Sequence, residues 1–70
     1  MSIFSERLIQ LRTDKHLSQN AVAEGLKVTT RAYQYYEYGE REPKLSVLVR
    51  MADYFDVSLD YLAGRTDTFS

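Results

Sequence analysis

Thr30, Arg31, Gln34 and Tyr35 carry hydrogen-bonding side chains within six residues, and none of the four is acidic. On a helix, residues one, four and five positions apart share a face. Such a face suits a partner that offers fixed donors and acceptors, and the fork of an arginine matches the paired acceptors on a guanine edge. This is chemistry of binding. The groups that break bonds are missing: there is no cysteine, His16 is the single histidine, and no glycine-rich phosphate loop or paired acids of a plausible cleft are present. No enzyme is expected, and with one histidine and no thiolate neither a metal site nor a cofactor is expected.

The elements that must position these side chains read as helices almost throughout. Phe4, Leu8 and Leu11 recur at helical spacing behind Ser2, a suitable cap, and Leu17 folds back onto the core. Ser18 precedes a second run, Val22, Ala23 and Leu26. Ala21 stands where a full capping box wants Glu or Gln, so half of that device is expected. Lys27-Val28 interrupts, and Thr29 caps a third stretch whose inward stripe is Ala32, Tyr33 and Tyr36. Gly39 ends it, and Pro43 suits the approach to a fourth helix with Leu45, Leu48, Val49, Ala52 and Phe55 turned inward. Ser58 caps a fifth, with Leu59 and Leu62 facing in and Gly64 as the stop. The tail, residues 65–70, is expected to fray or to serve in pairing. No stretch alternates with period two, so the fold class is all-α with about five short helices.

Two short helices joined by a tight turn, residues 18–37, form a helix-turn-helix signal. The inner faces must be apolar to hold the angle between them, and Val22, Ala23, Leu26, Val28, Tyr33 and Tyr36 meet that demand. Of the tyrosines, Tyr33 and Tyr36 are read as core and Tyr35 and Tyr38 as functional. Glu37 is read as structural, either pairing with Arg41 one turn on or anchoring the loop through hydrogen bonds.

The run Leu17-Ser18-Gln19-Asn20-Ala21-Val22-Ala23-Glu24-Gly25-Leu26-Lys27-Val28-Thr29-Thr30-Arg31 resembles the Cro/CI-type (lambda-repressor-like) helix-turn-helix family of regulators, also described as XRE-like. The similarity continues through Tyr36-Glu37-Tyr38-Gly39-Glu40-Arg41-Glu42-Pro43 and closes with Phe55-Asp56-Val57-Ser58-Leu59-Asp60-Tyr61-Leu62. It spans residues 4–64. The resemblance implies a compact five-helix domain that binds double-stranded DNA operators as a homodimer, typically a phage or bacterial repressor. It implies base-reading roles for Thr30, Arg31 and Tyr35 with Gln34 beside them, and phosphate contacts from Gln19, Thr29, Tyr38 and Arg41. The segment 57–69, with Tyr61 and Phe69, is the implied dimer seam. Lys27 stands where many members have Gly. Were the residue there left-handed, Lys would cost about 1 kcal/mol more. Tyr38 replaces a commoner Asn, and Glu40 and Glu42 flank Arg41 where bases are frequent.

Bulk properties agree with one small domain over residues 1–70. Apolar residues make up 44% and charged residues 27% of the 70, which suits a folded chain with a single core. The net charge of -1 is low for a nucleic-acid binder, but it is unevenly spread: residues 1–50 hold eight basic and six acidic residues, and residues 51–70 hold one and four. The N-terminus has no run resembling a signal peptide, and apolar stretches fall far short of the ~20 residues that span a bilayer, so a cytoplasmic location and no membrane contact are expected. The alternative is a protein-interaction module, such as the antitoxin of a toxin–antitoxin pair, using the acidic half Asp53–Asp67 with Tyr54 and Tyr61 as the partner surface.

Overall fold

Serine and threonine caps set where most of the helices begin. The computed structural model describes residues 2–70, which form α1 (Ile3–Asp14), α2 (Gln19–Leu26), α3 (Thr30–Glu37), α4 (Leu45–Phe55) and α5 (Leu59–Ala63), with no strand among the described residues. Ser2 Oγ accepts the Ser5 N–H at 3.1 Å while Ser5 Oγ accepts the Ser2 N–H at 3.0 Å, a reciprocal box built from two serines. Ser18 accepts from the Ala21 N–H, Thr29 from Ala32 and Ser58 from Tyr61, each at 3.0 Å. Caps of this kind contribute about 1 kcal/mol each. α4 begins after Lys44 with no side-chain cap.

The short α2–α3 turn is bought with backbone strain at Lys27, whose φ of 61° lies in the left-handed region. A lysine there costs about 1 kcal/mol more than glycine. Packing on both sides compensates: α2 lies against α3 and α4, α1 lies against α3 and α5, and α4 lies against α5. At the centre are Leu8, Leu26, Tyr33, Met51 and Leu62, fully buried, with Val22, Ala23 and Phe55 around them.

The inward faces of α4 and α5 differ from those expected. On α4 the inward residues are Val47, Met51, Ala52 and Phe55, while Leu45 is 70% exposed and Val49 40% exposed. The first turns of α4 are apolar nearly all round, so periodicity alone does not fix their rotation about the helix axis. On α5 only Leu62 is buried, and Leu59 faces outward. The tail, expected to fray or to serve in pairing, is fastened to α1 and to the start of α5. Arg7 donates to the main-chain carbonyls of Tyr61 and Thr66, pairs with Asp67 at 2.9 Å and lies 4.2 Å over the Tyr61 ring. The Ser58 N–H donates to the Phe69 carbonyl at 2.6 Å, and the Phe69 ring meets Tyr61 edge-on at 4.9 Å.

Gly25, anomalous inside a helix by propensity, has a steric reason. A Cβ there would stand 2.3 Å from Cε1 of Tyr54, whose ring lies across α2 and meets Phe55 edge-on at 5.1 Å. Among the described residues, no helix is long and apolar enough to cross a membrane.

Candidate nucleic-acid interface

The surface begins inside the protein, at Glu37. This last residue of α3 is 1% exposed, and a carboxylate so placed must be paired. Arg12 of α1 supplies the charge, with Nε 2.5 Å from Oε2 and Nη2 3.1 Å from Oε1. The Tyr33 hydroxyl donates to Oε2, and Gln19 Nε2 donates to Oε1 at 3.0 Å. Burial works to raise the Glu37 carboxyl, but the hydrogen bonds from Arg12, Tyr33 and Gln19 outweigh it and hold the group below the ordinary carboxylate range. The same bond to Glu37 raises Arg12 against the opposing effect of its own burial. Burial, reinforced by the bond to a charged acceptor, drives the Tyr33 phenol far above its usual value. Arg12 also donates to the Leu17 carbonyl at 2.9 Å, which ties the loop before α2 into the same cluster.

Glu37 therefore pairs with Arg12 on another helix, not with Arg41 as local spacing had suggested. The two partners lie 25 residues apart in the chain, beyond the reach of any spacing rule within one helix. The signal available in the sequence was that Glu37 lies four residues after Tyr33, on the inward side of its helix.

The ionised carboxylate has consequences at the surface. It only accepts hydrogen bonds, so Gln19 must offer its amide nitrogen and turn Oε1 outward. That oxygen accepts from Gln34 Nε2 at 3.1 Å. Gln34 in turn keeps one N–H and its carbonyl oxygen for contacts beyond the protein. A second brace joins the two helices at the other end of α3, where Thr30 Oγ1 donates to Asn20 Oδ1 at 2.6 Å.

The residues singled out in the sequence are brought to one side. Thr30, Arg31, Gln34 and Tyr35 share the outer stripe of α3, with Arg31 exposed and the other three half-buried. Arg31 Nε donates to the Tyr35 hydroxyl at 3.2 Å, and the Arg41 guanidinium lies 4.4 Å from the Tyr35 ring centre. Tyr38 is exposed at the end of α3 and lines a shallow hollow with Arg31, Gln34, Tyr35 and Glu40. Thr29 caps α3, its hydroxyl oxygen already accepting the Ala32 N–H. Gln19 opens α2, half-buried and braced on both sides. The arrangement offers a polar, non-acidic ridge on a helix, fixed from behind by a buried ion pair. The major groove of B-form DNA is wide enough to admit one helix.

Residues 8–62 match the helix-turn-helix family model. Over 60 residues the chain is 45% identical to the uncharacterized HTH-type transcriptional regulator YqaE of Bacillus subtilis, covering 86% of this chain and 52% of that protein. It is 32% identical over 66 residues to the cryptic phage CTXphi transcriptional repressor RstR of Vibrio cholerae, covering 94% and 60%. The chain thus spans between half and two thirds of the length of these relatives. Among solved structures, the P22 c2 repressor in complex with a synthetic operator superposes with a TM-score of 0.87 at 24% identity, over 94% of this chain and all of that one, which is a likeness of fold.

Proposed function

The chain belongs to the helix-turn-helix family, and from that premise we propose that it binds double-stranded DNA sequence-specifically as a transcriptional regulator of the repressor type, acting as a homodimer on a near-palindromic operator. The observation that carries this reading is the outer stripe of α3. Its four polar side chains are displayed together, and two hydrogen-bonded braces to α2 hold the helix that bears them. Thr30, Arg31 and Tyr35 read base edges, with Gln34 beside them. Gln19 and Thr29 on one flank, and Tyr38 and Arg41 on the other, stand toward the phosphates and set the register.

A near-palindromic operator suits two copies, one on each half-site. The molecule measures 28 Å along its longest axis, whereas successive half-sites on one side of the duplex lie about 34 Å apart. A single module buries little surface, so one copy alone would bind weakly. We place the seam on residues 57–69, where Leu59 and Phe69 leave apolar area in contact with solvent.

Selection of bound sequences from a random duplex pool tests the reading. An enriched inverted repeat is expected, and Arg31→Ala should cost about 1–3 kcal/mol at one base pair of it. If no sequence is enriched, sequence-specific binding is wrong, and a protein-partner role for the acidic half becomes the better account.

A further inference from the structure

We propose that Tyr35 and Arg41 are positioning residues for Arg31: they hold its guanidinium end-on so that it reads a guanine through its two terminal nitrogens. This rests on the reading above, in which α3 enters the major groove, and it changes the parts assigned to Tyr35 and Arg41 within it.

A guanidinium has two edges able to form a paired contact. One consists of the two terminal nitrogens, and the other of Nε with a terminal nitrogen. In this structure the second edge is taken, because Nε of Arg31 already donates to the Tyr35 hydroxyl at 3.2 Å. The two terminal nitrogens remain, and their spacing matches O6 and N7 of guanine. Tyr35 is held in its turn. The Arg41 guanidinium, arriving from the loop after α3, covers its ring at 4.4 Å, close enough for cation–π attraction. The Arg31 guanidinium carbon is farther out, at 5.8 Å, as expected for a side chain that meets the ring at its hydroxyl end. The three residues thus form a chain of contacts running from the loop to the outer face of α3. Tyr35 is half-buried, so it is the fixed member, and the two exposed arginines are organised around it.

The physical gain is preorganisation. An exposed arginine has many rotamers, and fixing it on binding opposes association. A side chain already directed by a hydrogen bond loses less freedom when it meets its base. Releasing Arg31 should therefore reduce preference for the guanine it reads by roughly two- to tenfold. Contacts at other positions should be untouched.

The experiment uses the whole chain and the duplex that it selects from a random pool. Each guanine of that duplex is replaced in turn by 7-deazaguanine, which lacks the N7 acceptor, and the ratio of the two dissociation constants is measured. Wild type should be sensitive at one guanine per half-site through Arg31, and Arg31→Ala should abolish that sensitivity. Tyr35→Phe, which removes only the hydroxyl, and Arg41→Leu should each shrink the same ratio by roughly two- to tenfold, with the salt dependence of binding unchanged. The proposal is overturned if Arg41→Leu weakens every duplex equally and lowers the salt slope by about one, because Arg41 is then a phosphate clamp. It is also overturned if Tyr35→Phe alters preference at a different base pair, or if Arg31→Ala leaves all guanine sensitivities intact. Enrichment of a site without these couplings rejects this inference alone. Absence of any enriched site rejects both it and the function proposed above.

Discussion

Glu37 shows how a single buried side chain governs an exposed surface. Removing its charge by Glu37→Ala leaves Arg12 without a counter-ion and the buried Tyr33 hydroxyl without an acceptor. Breaking such a pair on one side costs about 3 kcal/mol, which urea denaturation will register as a lower midpoint at unchanged slope. The pH dependence has a definite sign. The folded carboxyl titrates below its unfolded value, so it stabilises the protein above the ordinary range of about 4.3. That contribution is lost as pH falls from there through the depressed folded value. Wild type should therefore lose stability steeply on acidification below about pH 4.5, and the drop should be shallower in Glu37→Gln. A pH profile of the same slope in both chains would show that another carboxylate controls the acid limb. This residue also marks a limit of sequence reading. Its structural role was legible from its place near the end of a helix, but its partner lies 25 residues away on α1, and a rule built on neighbours one turn apart selects Arg41 instead.

At the scale of elements, what is local was legible. Ser2, Ser18, Thr29 and Ser58 each cap the helix expected of them, because a cap is satisfied by a backbone group three residues on. The outer stripe of α3 was legible for the same reason. The inward face of α4 was not, since Leu45, Val47, Leu48, Val49, Met51 and Ala52 satisfy two overlapping stripes, and only contact with α2 and α5 selects between them. Gly25 looked anomalous for a similar reason: its explanation is the ring of Tyr54 from α4. This gives a test of the α2–α4 contact. Alanine at position 25 gains helix propensity of about 0.5–1 kcal/mol, but it must displace that ring. Gly25→Ala should destabilise the otherwise unchanged chain by about 1 kcal/mol. In a Tyr54→Ala background the same change should be stabilising. Additive effects in the double variant would mean that the ring and the glycine do not constrain each other.

For the whole molecule, the questions are how many copies act together and what keeps the last residues in place. A seam on residues 57–69 predicts that sedimentation will show dimers on a selected inverted repeat, and that an acidic residue in place of Leu59 will weaken binding to the full site far more than to a half-site. Monomers alone at micromolar concentration, with and without DNA, would remove the seam. The same segment is fastened within its own chain by Arg7 and by the contact of Tyr61 with Phe69. The fastening has a consequence in time as well as in space. The amide hydrogen of Ser58 sits at a helix start, where it would ordinarily exchange with solvent freely, yet here it is tied to the carbonyl of Phe69. Its deuterium uptake is therefore a clock for the lifting of the tail, running independently of the unfolding of the helices around it. In Arg7→Met that clock should run faster while the amides of α1 and α4 keep their pace.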